Sequence, residues 1–178
     1  MDLSAAGIAP EPEIKQYTLS LLVRNHPGVL SHVAGLFTRR GYNIESISAG
    51  ITEHADLTRI TIVVTGDTAI VNQVVKQCQK LVDVIRIVSL RYNESVTREL
   101  ALIAVKAQPE DRSKIIEIAR VFEATVADMA ENAIVLEVVG NARRINSVLQ
   151  LLAPFGIEDI ARTGAVALAY RSHIPPIN

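Results

Sequence analysis

Residues 24–47 read RNHPGVLSHVAGLFTRRGYNIESI and concentrate the side chains and backbone groups able to hold a small ligand. Asn25 has the side chain of a helix cap, and Pro27 fits a first helical turn. Gly28 carries no Cβ, so a ligand can approach its backbone closely. The N–H groups of Gly28, Val29 and Leu30 then stand at a helix start without intrahelical acceptors, where the peptide dipoles favour an anion. The carboxylate of a small amino acid has the charge and size for that spot. Asn43, just past Gly41, offers an amide and a carbonyl at the start of the next strand. An ordinary capped helix followed by a turn would show the same residues, and residue chemistry alone leaves both readings open.

Elsewhere the chain is poor in convergent chemistry. His26, His32, His54 and His173 are scattered without metal-ligand spacing to one another, to the cysteine or to a carboxylate pair, so no metal site is expected. His26 and His32 read as solvated or capping residues near one helix start. Cys78 is the only cysteine, which excludes an intrachain disulfide and reads as a buried thiol on a helix in a reducing compartment. Arg39-Arg40 and Arg143-Arg144 read as solvated helix faces. No phosphate-binding loop, dinucleotide fingerprint or nucleophile elbow occurs, so no catalytic residue is expected.

The elements that must position residues 25–44 form a pattern written twice. Tyr17–Arg24 is rich in aliphatic residues and reads as a strand. Val29, Leu30, Val33, Leu36 and Phe37 recur at helical spacing up to Gly41, a residue tolerant of positive φ. Tyr42–Ile51 and Leu57–Thr65 read as strands around the polar turn TEHAD. A helix follows with Ile70, Val71, Val74, Val75 and Cys78 on one face, and Val82–Leu90 closes the unit. The order is β-α-β-β-α-β, the ferredoxin-like plan.

The order recurs after a polar stretch at Asn93–Thr97: strand Glu99–Ala107, helix Asp111–Phe122, hairpin Thr125–Met129 with Ala133–Val139, helix Asn141–Leu152. Extended residues Ile157–Tyr170 follow, interrupted at Thr163-Gly164. The expected division is therefore a flexible leader (1–15), a first α+β domain (16–92), a second (98–171) and a frayed tail (172–178). Each half would leave one sheet face and its edge strands unpartnered, so an obligate homodimer through the first domain is expected.

Composition agrees with that plan. Of 178 residues 49% are hydrophobic and only 4% aromatic, so cores must be built from Val, Ile, Leu and Ala. The formal net charge is -1 without long runs of one sign, which argues against nucleic acid as the partner. The N-terminus lacks the basic start and apolar run of a secretory signal. No stretch approaches the roughly 18 apolar residues a membrane helix needs. A cytoplasmic protein is the expectation.

The segment RNHPGVLSHVAGLF resembles the opening of an ACT domain, an amino-acid-sensing module. The run FTRRGYNIESISAG more specifically resembles the small, regulatory subunits of acetolactate synthase (acetohydroxyacid synthase). The resemblance continues through DLTRITIVVTGD, KLVDVIRIVSL and RELALIAVKA to VLQLLAPFGIEDIARTGAVALAYR, covering Tyr17 to Arg171. It implies a non-catalytic subunit without cofactors of its own. The implied partner is a large catalytic subunit carrying thiamine diphosphate, FAD and a divalent metal such as Mg. The small subunit would raise that enzyme's activity and confer feedback inhibition by valine or another branched-chain amino acid. The resemblance further implies an effector site between two ACT domains: Asn25, Gly28, Val29 and Leu30 from one chain, Asn43 and Ile44 from its neighbour. His26 and Pro27 occupy loop positions where family members vary.

A free-standing amino-acid sensor or transcriptional regulator would share the site but needs a DNA-binding segment, and no basic helix-turn-helix is visible. RNA binding on this fold stacks bases on aromatics of the central strands. Here YTLSLLVR and TRITIVVT supply a single Tyr. An acylphosphatase-like activity would require Arg24 and Asn43 to converge on the loop.

Overall fold

The computed structural model describes residues 15–170, so the expected tail and all of the expected leader except Lys15 lie outside the described residues. The two α+β units expected from the sequence are present. In the first, β1 (Lys15–Arg24), α1 (Val29–Arg40), β2 (Ile44–Ile51), β3 (Leu57–Gly66), α2 (Thr68–Cys78) and β4 (Val84–Leu90) follow in order. The antiparallel sheet runs β2-β3-β1-β4, which leaves β2 and β4 as edges. Period-two alternation turns Leu19, Leu21 and Val23 of β1 and Ile60, Ile62 and Val64 of β3 toward the helices. Helix α1 meets them with Val29, Val33, Leu36 and Phe37, α2 with Val71, Val74 and Cys78. Burial in that apolar core pushes the Cys78 thiol up to about 11.

A one-turn 3-10 helix, Tyr92–Glu94, leads into β5 (Ser95–Lys106), then α3 (Arg112–Val121), β6 (Thr125–Met129), β7 (Ala133–Gly140), α4 (Ala142–Leu152), β8 (Ile157–Arg162) and β9 (Val166–Ala169). The second sheet runs β6-β7-β5-β8, with Ala101, Ile103, Val105, Ile134, Leu136 and Val138 facing Ile115, Ala119, Ile145, Val148 and Leu152. Ser95–Thr97, read from the sequence as part of a polar connection, are strand and pair with β9. The reason is tertiary: β8 and β9 together form one broken strand along the whole of β5. Ala101 stands opposite Arg162 and Arg98 opposite Val166, so one extra residue bulges at Thr163–Ala165.

Two expectations need correction. The first sheet's second face is not left wholly open, because β9, paired with the start of β5, lies against β1 and β4. Ser20, Leu22 and Thr61 on that face are buried. Arg144 is also not a solvated residue. Its guanidinium donates to the Phe122 carbonyl and to Glu123 Oε2 (2.8 Å), bracing α4 against the end of α3. The same ion pair holds the Glu123 carboxyl below its ordinary value.

The two cores share no side chain, so damage to one should stay local. Phe37→Ala should cost about 3–5 kcal/mol. Amide hydrogen exchange should show protection falling in β1, β3 and α1 while β5 and β7 keep theirs.

Candidate functional site

The chain turns sharply between β1 and α1. His26-Pro27-Gly28-Val29 is a type II turn, with the Val29 N–H donating to the His26 carbonyl at 3.3 Å and Gly28 at φ 89°, ψ -10°. Pro27 pre-sets the first central residue of the turn, not the first helical position. Gly28 is itself the N-cap, and no side chain caps α1. By contrast Asp67 accepts from the Ile70 N–H at the start of α2 (2.7 Å), and Asn141 from the Arg144 N–H at α4 (2.9 Å).

Asn25, expected to cap α1, ties the loop to the opposite turn instead. Its Nδ2 donates to the Ala55 carbonyl at 2.9 Å and its backbone N–H to the Asp56 carbonyl at 2.7 Å. That leaves Oδ1 as the group able to meet an ammonium. Of the three amides expected to receive an anion, that of Val29 closes the turn. Those of Gly28 and Leu30 have no backbone carbonyl partner among the described residues. The Val29 side chain lies in the core, whereas Leu30 is exposed beside the loop.

The other residues of the expected site lie elsewhere. Helix α1 ends in a Schellman cap at Gly41 (φ 67°), the Tyr42 N–H reaching the Phe37 carbonyl at 3.0 Å. Asn43 follows, exposed, its Nδ2 donating to Glu45 Oε1 at 2.7 Å, and Ile44 opens β2. Twelve helical residues therefore separate the two groups, about 18 Å at 1.5 Å per residue. Within one chain they form no common site.

Strand β2 has a bulge the sequence pattern did not signal. Ile44 pairs with Val64 and Ser46 with Val63, so Glu45 is the extra residue. This turns both Ile44 and Ile47 onto the core side and sends Ser46 and Ser48 to the other face. There Ser48 Oγ donates to the Thr163 carbonyl at 2.8 Å, and the Ala165 N–H donates to Ser46 Oγ at 3.4 Å. Gly164, at φ 75°, makes the approach possible, since a Cβ there would stand 3.1 Å from Ser46 Cβ. The bulge of the second domain thus sits on the bulged strand of the first.

The histidines, read from the sequence as solvated or capping, converge on one group. His26 Nε2 meets Asp83 Oδ1 at 2.8 Å and His32 Nδ1 meets Asp83 Oδ2 at 3.1 Å. Asp83 is buried just before β4, and its carbonyl accepts the Arg24 N–H at 3.0 Å. The hydrogen bond to His26, then that to His32, hold the Asp83 carboxyl below its ordinary value, and the carboxylate raises His26 above its own. The separation of 57 positions between His26 and Asp83 explains why local spacing missed the cluster. Among the described residues no group of three or more His, Cys, Asp or Glu is arranged to hold a metal.

The chain matches two family models, an AHAS small subunit-like ACT domain over residues 19–86 and the small subunit of acetolactate synthase over 98–171. A probable acetolactate synthase small subunit of Archaeoglobus fulgidus is 45% identical over 153 residues, spanning 86% of this chain and 96% of that protein. An acetolactate synthase small subunit of Mycobacterium bovis is 46% identical over 155 residues, spanning 87% and 92%. The crystal structure of an acetolactate synthase small subunit from Thermotoga maritima is similar with a TM-score of 0.82 at 36% identity, covering 88% of this chain and 98% of that one.

At Gly28 a Cβ would meet nothing within 4 Å, so the cost of a side chain is backbone strain alone. Gly28→Ala should destabilise the chain by about 1–2 kcal/mol, read as a lowered urea midpoint. An unchanged midpoint would show that the turn does not need its left-handed residue.

Proposed function

The chain belongs to the acetolactate synthase small-subunit family, and on that premise we propose that it is a homodimeric regulatory subunit. In this reading it activates a large catalytic subunit and makes it sensitive to valine. Thiamine diphosphate, FAD and the divalent metal belong to that partner. The observation that carries the reading is the separation of Gly28 and Asn43 by the length of α1, together with the free edge of β2. A two-fold antiparallel pairing of β2 with its copy, centred on Ile47–Ser48, sets Ile44 of one chain opposite Ile51 of the other. Ile51 lies at the end of the sheet where Asn25 is tied to the β2–β3 turn. Asn43 and Ile44 of one protomer then meet the turn and first helical amides of the other, and neither chain has a complete site alone.

Each half supplies different chemistry. The Gly28 and Leu30 amides, at the positive end of α1, suit the effector's carboxylate. Asn25 Oδ1 and the Asn43 side chain suit its ammonium or complete its hydrogen bonding, and exposed Leu30 and Ile51 offer apolar surface for a branched side chain. One methylene more or less in such a pocket discriminates by only ~1–3 kcal/mol, so leucine and isoleucine should compete with valine. Occupancy is felt at the start of β2, two residues before Ser46. The contact of Ser46 and Ser48 with Thr163–Ala165 offers a path from there to the second domain. Any effect on the catalytic subunit is then a coupling free energy, typically ~1–3 kcal/mol.

Sedimentation at micromolar concentration should show at least a dimer, and a clean monomer would remove the shared site. The functional test is acetolactate formation by the reconstituted enzyme across a valine titration. Asn43→Ala should raise the half-inhibitory valine concentration about 2- to 10-fold, the range of one hydrogen bond. Gly28→Asp places a carboxylate where the effector's would lie, in a left-handed conformation that Asp tolerates better than most residues. It should activate normally and ignore valine. A folded, activating Gly28→Asp variant as valine-sensitive as the parent would sink the site.

A further inference from the structure

His26 faces an acceptor at each ring nitrogen. Nε2 lies 2.8 Å from Asp83 Oδ1 and Nδ1 lies 2.9 Å from the carbonyl of Pro27. A carbonyl cannot donate, and a carboxylate held below its ordinary value carries no proton to give. Both contacts are hydrogen bonds only when both ring nitrogens carry hydrogen, that is, when His26 is an imidazolium. A neutral ring has one N–H, so losing the proton breaks one of the two bonds and turns a lone pair toward an oxygen. Both bonds bear on the same feature. Pro27 and Gly28 are the central residues of the turn that begins α1, and Asp83 anchors that turn to the connection between α2 and β4.

We propose that His26 and Asp83 are positioning residues for the effector loop: the imidazolium clamps the Pro27–Gly28 turn in its binding shape, and loss of its proton loosens the turn and weakens effector binding. The inference rests on the site proposed above. Three charged or titratable groups face His26. Asp83 favours the proton. Arg24, at the end of β1, opposes it. His32, on α1, competes for the same carboxylate through Oδ2. A carboxylate ligand at the start of α1 would add a further negative charge beside the ring and favour its protonation.

The direction with pH follows from the two partners. His26 is raised above its ordinary 6.5, so its contribution is complete below 6.5 and is lost as pH rises through the folded value. Asp83 is lowered from its ordinary 3.8, so its contribution is complete above 3.8 and is lost as pH falls through its depressed value. The clamp is thus whole between those ordinary values, opens on the alkaline side as His26 loses its proton, and is lost in acid as Asp83 gains one.

Two measurements on the full chain test the proposal. The first is an NMR pH titration of the histidine rings, with His26 assigned through His26→Gln. His26 should titrate above the ordinary imidazole value of 6.5, and Asp83→Asn should bring its midpoint back toward that value. The second is calorimetric binding of L-valine from pH 5.5 to 8.5, across which the ligand's carboxylate and ammonium keep their charges. Affinity of the parent should fall about 2- to 10-fold as pH rises through the His26 midpoint. His26→Gln should bind valine with a flat profile, and Asp83→Asn should bind it more weakly, with any remaining fall moved to the lower His26 midpoint. If the parent binds valine with the same affinity at every pH while His26 titrates, the clamp does not position the site and this inference is overturned. If the parent binds no valine at any pH, the effector site itself is wrong. If the His26 midpoint is ordinary and indifferent to Asp83→Asn, the imidazolium clamp is absent whatever the binding shows.

Discussion

Helix α1 stands as a rigid rod of about 18 Å between the two backbone features suited to a small zwitterion, and much of the first domain follows from that length. Val33, Leu36 and Phe37 lock the rod into the core, so it cannot shorten or tilt to bring its ends together. Gly28 and Asn43 can therefore serve one ligand only if a second chain supplies one of them. The β2-β3-β1-β4 order, which puts β2 at the edge, leaves the strand carrying Ile44 free to meet such a copy. In a sheet with β2 at its centre the same residues would be sealed off from any partner.

The start of α1 differs from those of α2 and α4, although α3 too begins without a side-chain cap. Asp67 and Asn141 spend side chains on the first amides of α2 and α4. At α1 Gly28 provides no cap, and Asn25, the residue chemically able to provide one, is committed to the β2–β3 turn. Local rules most often give way at functional sites, the role proposed for this helix start. Open amides at a helix N-terminus suit an incoming anion, and their exposure is tolerated because the loop is held from outside, by Asn25 on one side and by His26 with Asp83 on the other.

The two domains meet through irregularities. A regular β2 would turn Ile44 and Ser46 to the same face. The extra residue at Glu45 separates them, one to the core and the other to the neighbouring domain. The facing strand is broken at Thr163–Ala165, and Gly164 lets it come close enough for the Ser46 and Ser48 contacts. Two regular strands would have offered side-chain tips across a wider gap. The strand that opens at the proposed effector residues is thus also the strand on which the second domain rests.

What could be read from residue order alone was whatever depends on neighbours along the chain. Spacing of apolar residues marked α1 to α4 and most of each buried side, although Leu30 and Ile70 are exposed, and Gly41 marked the end of α1. The β-α-β-β-α-β plan followed from those elements, and Gly28 stood out as a residue without a Cβ, although its left-handed place in the turn came only with the structure. The residues misread or passed over have partners far away in sequence. Asn25 bonds to Ala55, His26 to Asp83, Ser48 to Thr163 and Arg144 to Glu123, and each pairing exists only once strand order and register bring the two segments together. Periodicity reports which face a side chain takes, because that is set by local backbone geometry. It is silent on what waits at that face, because hydrogen-bond partners across a fold are chosen by the packing of whole elements.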